Sequence, residues 1–311
     1  MKQGIIISML LMMMCNRLFA SEDSVFSFRF RNDVTITADF PKNFSSKKKT
    51  QLILFALPNG NSTVQTMGKQ MKAGDDWHFD IQHIAAQTRF VRNELPNENI
   101  VVVYVENDLK AWPQWKRVHE NYTVLIPALV DTIEKILSIK KYSLHLNGHS
   151  GGGAFVLGYI QSQKNIPDHV NRITFLDSDY GYDSTFTLKF VDWLKKKSSN
   201  RLTVFAYNDS VVIYNGKPLV SPTGGTWYRS KLMMKDLSAY FDFKTTRADS
   251  VVQYSSNNQI NFFLVDNPGK KIYHTVQVER NGFIHSILIG TKQESKNYSY
   301  WSKRAYENLI E

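Results

Sequence analysis

One serine with glycine on both sides is the side chain in this sequence that is best placed to act as a nucleophile. Ser150 lies in the run Gly148-His149-Ser150-Gly151-Gly152. Small residues at this spacing allow the strained backbone of a sharp turn from strand to helix, where a Cβ would collide with a neighbouring element. Such a turn would lift Ser150 Oγ clear of its surroundings and aim the N–H of Gly151 at a developing oxyanion. The pattern predicts a nucleophile elbow, with a purely structural glycine turn as the alternative.

The elements that would position this serine are a strand before it and an apolar helix after it. Elsewhere in the chain, continuous apolar runs typical of strands buried on both faces alternate with segments of helical period. The predicted strands cover 52–57, 100–105, 142–146, 172–176 and 202–206, and the predicted helices cover 79–92, 119–139, 154–163, 187–196 and 228–240. This alternation predicts an α/β fold with a mainly parallel sheet and helices on both faces. Residues 25–31 and 34–40 alternate apolar and polar side chains and predict an antiparallel hairpin.

Together these elements resemble the α/β-hydrolase fold over most of residues 25–311. The hairpin is similar to the antiparallel start of that fold, and Ser150 follows the strand after which the family keeps its nucleophile. The resemblance implies a single α/β-hydrolase domain, residues 21–311, with a mainly parallel eight-stranded sheet. It also implies a serine hydrolase whose catalytic residues follow one another in the order serine, acid, histidine.

In that order, the general base must be one of the three histidines after Ser150. His169 precedes the candidate acids and is interpreted as a surface residue. His274 lies in a predicted strand at 271–279 and is interpreted as a packed strand residue. His285 follows a turn just past that strand, where the resemblance implies the catalytic histidine. We therefore expect His285 to act as the base.

Three aspartates are candidates for the acid that orients this histidine. Asp209 follows the strand at 202–206, which is the common place for the acid in the family, and it is our preferred choice. Asp179 and Asp177 follow the strand at 172–176, a location that some hydrolases use, and they remain alternatives. Each of the three could instead cap a turn, because aspartate readily bonds nearby backbone N–H groups.

A second donor to the oxyanion, in addition to Gly151, is expected from the loop after the third strand. Residues 56–61 read Ala-Leu-Pro-Asn-Gly-Asn, which departs from the glycine-rich form of many lipases and esterases. Gly60 could bring a backbone N–H close to the substrate, and Asn61 or Asn59 could add a side-chain amide. An ordinary Asn-Gly turn is the alternative interpretation.

Aromatic residues in two predicted loops are candidates for the substrate pocket. Both loops follow strands on the side of the sheet that carries Ser150, and their aromatic side chains could stack on a sugar or an aromatic acyl group. The residues are Trp112, Trp115, Trp227 and Tyr228. They could equally anchor the loops.

No metal or cofactor is expected. Asp76, Asp80 and His83 have helical spacing, but acidic residues at a helix start are explained by capping and by the helix dipole. The chemistry implied by the resemblance needs no cofactor.

The first 20 residues have the layout of a secretory signal peptide. Lys2 precedes an uncharged run, and cleavage after Ala20 is plausible. Cys15, the only cysteine, lies in this segment, and a lipid anchor there is the less favoured alternative. Five Asn-x-Ser/Thr sites occur, and those at Asn61 and Asn208 fall in the predicted active site, where a glycan would obstruct it. We therefore expect bacterial export to the periplasm or the exterior.

The chain carries a formal net charge of +10, of which Lys2 and Arg17 belong to the predicted signal peptide. The lysine clusters fall at element ends, which indicates solvated surfaces, and no nucleic-acid-binding motif or membrane span is expected. The oligomeric state is left open.

These observations predict an exported serine hydrolase that cleaves an ester, either carbohydrate-linked or with a small acyl group, through an acyl-enzyme. A peptidase of the same fold is the main alternative. A protein that keeps this fold but only binds a glycan or peptide is the alternative from another class.

Overall fold

The computed structural model describes residues 24–311 of the chain. The predicted signal peptide, its cleavage after Ala20 and the alternative anchor at Cys15 lie outside the described residues. Within them, the strands are β1 (Ser24–Phe30), β2 (Val34–Phe40), β3 (Lys49–Ala56), β4 (Glu98–Asn107), β5 (Tyr142–His149), β6 (Val170–Leu176), β7 (Arg201–Tyr207), β8 (Ile213–Tyr214), β9 (Lys217–Pro218), β10 (Lys244–Ala248), β11 (Val251–Ser256) and β12 (Ile260–Val265).

The α-helices of the same range lie mostly between these strands. They are α1 (Thr63–Met67), α2 (Ile84–Glu94), α3 (Trp112–Val118), α4 (Tyr122–Leu137), α5 (Gly153–Ser162), α6 (Thr187–Lys196), α7 (Thr226–Leu237) and α8 (Phe283–Leu288). The five predicted helices correspond to α2, α4, α5, α6 and α7, with ends displaced by a few residues.

Ten of the strands in residues 24–311 form one sheet, in the order β1-β2-β4-β3-β5-β6-β7-β12-β11-β10. The six central strands run parallel, and antiparallel pairs close both edges. The fold class predicted from the sequence is confirmed, but the sheet has ten strands in place of eight. The hairpin of β10 and β11 lies at the edge of the sheet beyond β12.

The sheet is covered by helices on both faces. On one face, α3 to α7 pack against alternate strand residues such as Val103, Leu146 and Val204. On the other face, α2, α8 and the carboxyl-terminal segment pack against Ile53, Phe205 and their neighbours. This double burial explains the continuous apolar runs of the central strands.

The parallel strands end at a common edge of the sheet, and this edge brings together groups that are far apart in sequence. Because β5 pairs with β3 and β6, and β7 pairs with β6 and β12, the loops that follow these strands meet there. The loops begin after Ala56, His149, Leu176, Tyr207 and Val265.

Two further features of residues 24–311 concern the helices and the ionisable side chains. None of the helices in this range is both long enough and apolar enough to cross a membrane. No group of three or more His, Cys, Asp or Glu side chains in the range is arranged to hold a metal ion. In the acidic segment, Asp76 caps the turn Trp77–Asp80 and Asp80 bonds His83.

Candidate active site

Ser150 lies at a sharp turn that immediately follows β5. Its φ is 54°, in the left-handed region, and the short helical turn Ser150–Gly152 leads directly into α5. A Cβ on Gly152 would lie 2.1 Å from the carbonyl oxygen of Ala56, and one on Gly148 would lie 2.8 Å from the carbonyl carbon of Gly152. Only glycine fits at these two positions, so the strained, glycine-dependent turn that the sequence predicts is present.

A histidine–aspartate pair lies beside this turn. His274 Nδ1 is 2.5 Å from Asp177 Oδ2, and Asp177 is fully buried while about a quarter (26%) of the His274 side chain is exposed. Asp177 directly follows β6, the neighbour of β5, and His274 lies in the loop after β12. The carboxylate can therefore hold one ring nitrogen of a histidine whose ring reaches the surface.

His149 links the pair to the turn. Its ring centroid is 4.8 Å from that of His274, and its Nε2 is 3.2 Å from the His274 backbone carbonyl oxygen, to which it can donate a hydrogen bond. Burial is the main reason that the pKa of His149 lies well below its ordinary value, and the His274 ring nearby adds to it. A neutral His149 next to Ser150 in the chain thus holds the His274 loop against the elbow.

The buried side of Asp177 is also fixed by the protein. Thr226 Oγ1 donates a hydrogen bond to Asp177 Oδ1, and the Asp177 backbone N–H donates to the Phe205 carbonyl at 2.8 Å. Asp177 itself has a φ of 48°, a left-handed conformation that aspartate adopts more readily than most residues. Both carboxylate oxygens therefore have fixed partners, and only one of these partners is a histidine.

His285 has a different environment, which argues against its predicted role as the general base. It lies in α8, only 3% exposed, and its Nδ1 is 2.9 Å from Tyr298 Oη. Its ring packs against Phe263, at 4.7 Å between centroids, and stacks on Tyr300 at 5.7 Å. Burial, with the Arg172 charge nearby, lowers the pKa of His285 to about 3. No carboxylate among the described residues bonds this ring.

The preferred acid of the sequence analysis, Asp209, has a structural partner. Its Oδ2 accepts a hydrogen bond of 2.9 Å from the Thr226 backbone N–H at the start of α7. Burial raises its pKa to about 6, and the negative charge of Asp177 contributes. Asp209 therefore caps a helix, and neither it nor Asp179 bonds a histidine in the described part of the chain. Asp179 accepts from Ser230 Oγ at 2.9 Å, and burial raises its pKa well above the ordinary value.

The predicted oxyanion donors differ in their availability. Gly151 follows Ser150 in the short helical turn, and a Cβ on it would lie 1.8 Å from Oδ1 of Asn59, the acceptor oxygen of that side chain. The Gly60 N–H donates to the Lys110 carbonyl at 2.8 Å, which removes Gly60 from the candidates. Asn61 is only 5% exposed, and its Nδ2 has no hydrogen-bond partner within the described residues.

The four aromatic residues predicted to line the substrate pocket fall into two pairs with different environments. Trp112 and Trp115 are buried in the core, where their indole N–H groups donate to the Val105 carbonyl at 3.2 Å and to Asp33 at 2.8 Å. The predicted loop is the helix α3, and both side chains are at most 1% exposed, so they have no surface to offer a substrate. Trp227 and Tyr228 follow Thr226, which bonds Asp177, and they stay candidates.

Tyr180 is an aromatic residue near the histidine that the sequence pattern did not single out. It is 40% exposed, and its ring centroid lies 6.4 Å from that of His274. It lies in the same loop as Asp177, after β6. An aromatic side chain three residues after a candidate acid was the signal available in the sequence.

The sequence did not single out His274 because the pattern at 271–279 resembles a last strand. The last strand is β12, and residues 266–275 form a loop and turns. The signal that could have located it is Asn267-Pro268-Gly269, a typical turn sequence that directly follows an apolar run. With this loop recognised, His274 becomes the first histidine after the last parallel strand.

Comparisons with known proteins agree with this architecture. No protein-family model matches the chain, and no curated protein matches it. The chain is similar to a serine-to-alanine mutant of the feruloyl esterase module from Clostridium thermocellum complexed with sinapinate, with a TM-score of 0.53 and 12% sequence identity over 91% of this chain and 92% of that chain. It is also similar to poly(aspartic acid) hydrolase-1 from Sphingomonas sp. KT-1, with a TM-score of 0.46 and 12% identity over 87% of this chain and 99% of that chain. At 12% identity, the likeness to the feruloyl esterase module concerns the fold alone: the chain has the α/β-hydrolase fold.

Proposed function

We propose that this protein is a serine hydrolase in which Ser150 is the nucleophile, His274 the general base and Asp177 the orienting acid. The observation that carries the proposal is the 2.5 Å contact between His274 and a buried Asp177, next to the strained turn of Ser150. Strained backbone at a polar, partly exposed site is typical of functional residues. In this assignment, His274 replaces His285, and Asp177 replaces Asp209.

The reaction would proceed by acyl transfer. His274 Nε2 takes the proton of Ser150 Oγ as the oxygen attacks the substrate carbonyl, and Asp177 stabilises the resulting imidazolium through Nδ1. The Gly151 N–H stabilises the tetrahedral oxyanion. His274 then protonates the departing alcohol. A water molecule, deprotonated by the same histidine, releases the acid and restores Ser150.

Esters are the substrates that we favour over peptides. The module from Clostridium thermocellum, whose fold this chain shares, is a feruloyl esterase and was solved in complex with sinapinate. Tyr180, 40% exposed beside His274, offers an aromatic surface on which an aryl acyl group could stack. We therefore propose a carboxylic ester with a small or aromatic acyl group, either free or linked to a carbohydrate.

A fluorophosphonate probe tests whether Ser150 is activated. Intact-mass spectrometry of the native protein should show one adduct that maps to Ser150, whereas Ser150→Ala and heat-denatured native protein should show none. A folded native protein without an adduct would contradict the proposal and favour a binding protein.

The substrate class is tested by comparing rates of hydrolysis. Hydrolysis of 4-nitrophenyl acetate and methyl ferulate should exceed cleavage of amino-acid 4-nitroanilides. The reverse order would indicate a peptidase.

A further inference from the structure

A cavity lies on the face of the sheet that carries α2 and α8. Its volume is about 350 Å³, which lies in the range of about 300–1,000 Å³ that small-ligand sites occupy. Its lining includes His285 but not Ser150, His274 or Asp177. His285, which has no role in the proposed reaction, therefore lines a cavity to which none of the three proposed catalytic residues belongs.

The floor of this cavity is formed by the edge strands of the sheet. Thr246 of β10 pairs with Gln253 of β11, and Gln253 pairs with Phe263 of β12. Directly paired residues of antiparallel strands point to the same face, so these three side chains share the face that carries α8. The strands β10 and β11, by which the sheet exceeds the expected eight strands, therefore extend the floor of the cavity.

The walls come from α8 and from the carboxyl-terminal segment. His285 forms the inner end, and its Nε2 is buried without a hydrogen-bond partner among the described residues. Its Nδ1 is bonded to Tyr298, so Nε2 is the ring nitrogen whose hydrogen-bonding capacity is unused within residues 24–311. Tyr300 and Trp301 form an aromatic wall, and the carboxylate of Glu294 lies at the exposed rim.

The cavity thus combines aromatic rings with many hydrogen-bonding groups. The rings suit the apolar C–H face of a cyclic ligand, while hydroxyl, amide and carboxylate groups suit several hydroxyls on its edge. Two carboxylates, Asp249 and Glu294, line it and disfavour an anionic ligand. We propose that this cavity binds one ring of a neutral saccharide, stacked on the aromatic wall of Tyr300 and Trp301.

The test is a binding titration of the whole protein with methyl β-D-glucopyranoside, methyl β-D-xylopyranoside and N-acetylglucosamine, followed by calorimetry and ligand-observed NMR. At least one sugar should bind the native protein. Trp301→Ala should weaken that binding by about tenfold or more, because the aromatic wall is lost. Trp77→Ala is the matched control, since Trp77 is 65% exposed and stacks on His78 outside this cavity. It should change the affinity less than twofold, by about 0.4 kcal/mol at most.

Three results would overturn the proposal. They are the absence of binding of all three sugars, equal affinity in Trp301→Ala and the native protein, and tighter binding of choline than of any sugar. Loss of binding in Tyr180→Ala with binding kept in Trp301→Ala would place the sugar beside His274 and would also overturn it. If Trp301→Ala does not fold, Ser302→Trp, which fills the exposed rim, should abolish binding; unchanged binding would count against the proposal.

Discussion

Asp177 and Asp209 differ in the partner that each carboxylate holds. Asp177 bonds a histidine, while Asp209 bonds the backbone N–H at the start of α7. Asp177→Asn should therefore lower kcat by about 10⁴-fold, because the amide no longer fixes the required tautomer or stabilises the imidazolium. Asp209→Asn should keep activity within about tenfold, since an amide oxygen can still cap the helix. Ester hydrolysis by both folded variants measures this difference, and a larger loss in Asp209→Asn would refute the assignment of the acid.

His149 is a positioning residue in this account. His149→Phe removes the donor to the His274 carbonyl and should lower kcat by about tenfold to a hundredfold with KM nearly unchanged, because only the alignment of the base is affected. His149→Gln keeps an N–H at a similar reach and should recover much of the loss. Equal kcat values for the Phe and Gln variants would show that the ring packs but does not position.

The elbow could be predicted from the sequence and its partners could not, for a physical reason. The turn at Ser150 depends on glycines that lie within a few residues of it, so a short stretch of sequence is enough to predict the turn. Asp177 and His274 are 97 positions apart in sequence, and their pairing depends on the order of three strands in the sheet. From the sequence, Asp177 is only an alternative to Asp209 as the acid, and His274 is interpreted as a packed residue of a strand. In the structure, both residues lie in loops that follow strands.

The junction of β5 with α5 depends on close packing against neighbouring loops. A Cβ on Gly153 would lie 1.7 Å from the Ser178 carbonyl oxygen, an atom of the loop that carries Asp177. Gly153→Ala should therefore destabilise the protein by about 2–4 kcal/mol and lower activity, since backbone must move at both loops. Gly269→Ala is the control, because its nearest atom would be a Lys271 side-chain carbon at 3.7 Å. Denaturant unfolding compares the two variants, and equal stability would contradict this packing.

At the scale of elements, helices and buried strands followed from periodicity, and the errors arose where a short apolar pattern had two interpretations. Alternating residues at 271–279 resemble a strand, but Pro268 and Gly269 keep the chain in a loop before them. Trp112 and Trp115 were expected in a loop, whereas their three-residue spacing places both on the buried side of α3. Tertiary packing decided these cases.

Buried histidines should make the whole molecule sensitive to acid. His83, His145, His149 and His285 all have pKa values lowered mainly by burial. Between the ordinary value of 6.5 and about 3 for His285, the unfolded chain binds more protons than the folded one, so stability falls as pH falls. The raised pKa values of Asp179 and Asp209 act in the opposite direction, because these groups take up protons in the folded state.

The contribution of His285 can be separated by comparing pH slopes. As the pH falls from 6 to 4, the unfolding free energy of the native protein should decrease more steeply than that of His285→Phe. The difference between the two slopes should be about 1.4 kcal/mol per pH unit. Urea unfolding at several pH values measures both slopes. Parallel slopes would show that His285 is not held neutral by burial.

The ten-stranded sheet provides the buried site of His285. The hairpin of β10 and β11 at the edge of this sheet was not among the strands predicted from the sequence.

In the proposed triad, His274, and not His285, is the general base for Ser150. The most direct measurement is kcat/KM for 4-nitrophenyl acetate in two matched variants, His274→Asn and His285→Asn, each checked for folding by circular dichroism. Asparagine keeps an N–H near the position of Nδ1 in both, so contacts with Asp177 and Tyr298 can persist while Nε2 is lost. We expect a loss of about 10³-fold or more for His274→Asn and less than about tenfold for His285→Asn. The opposite pattern would contradict the account.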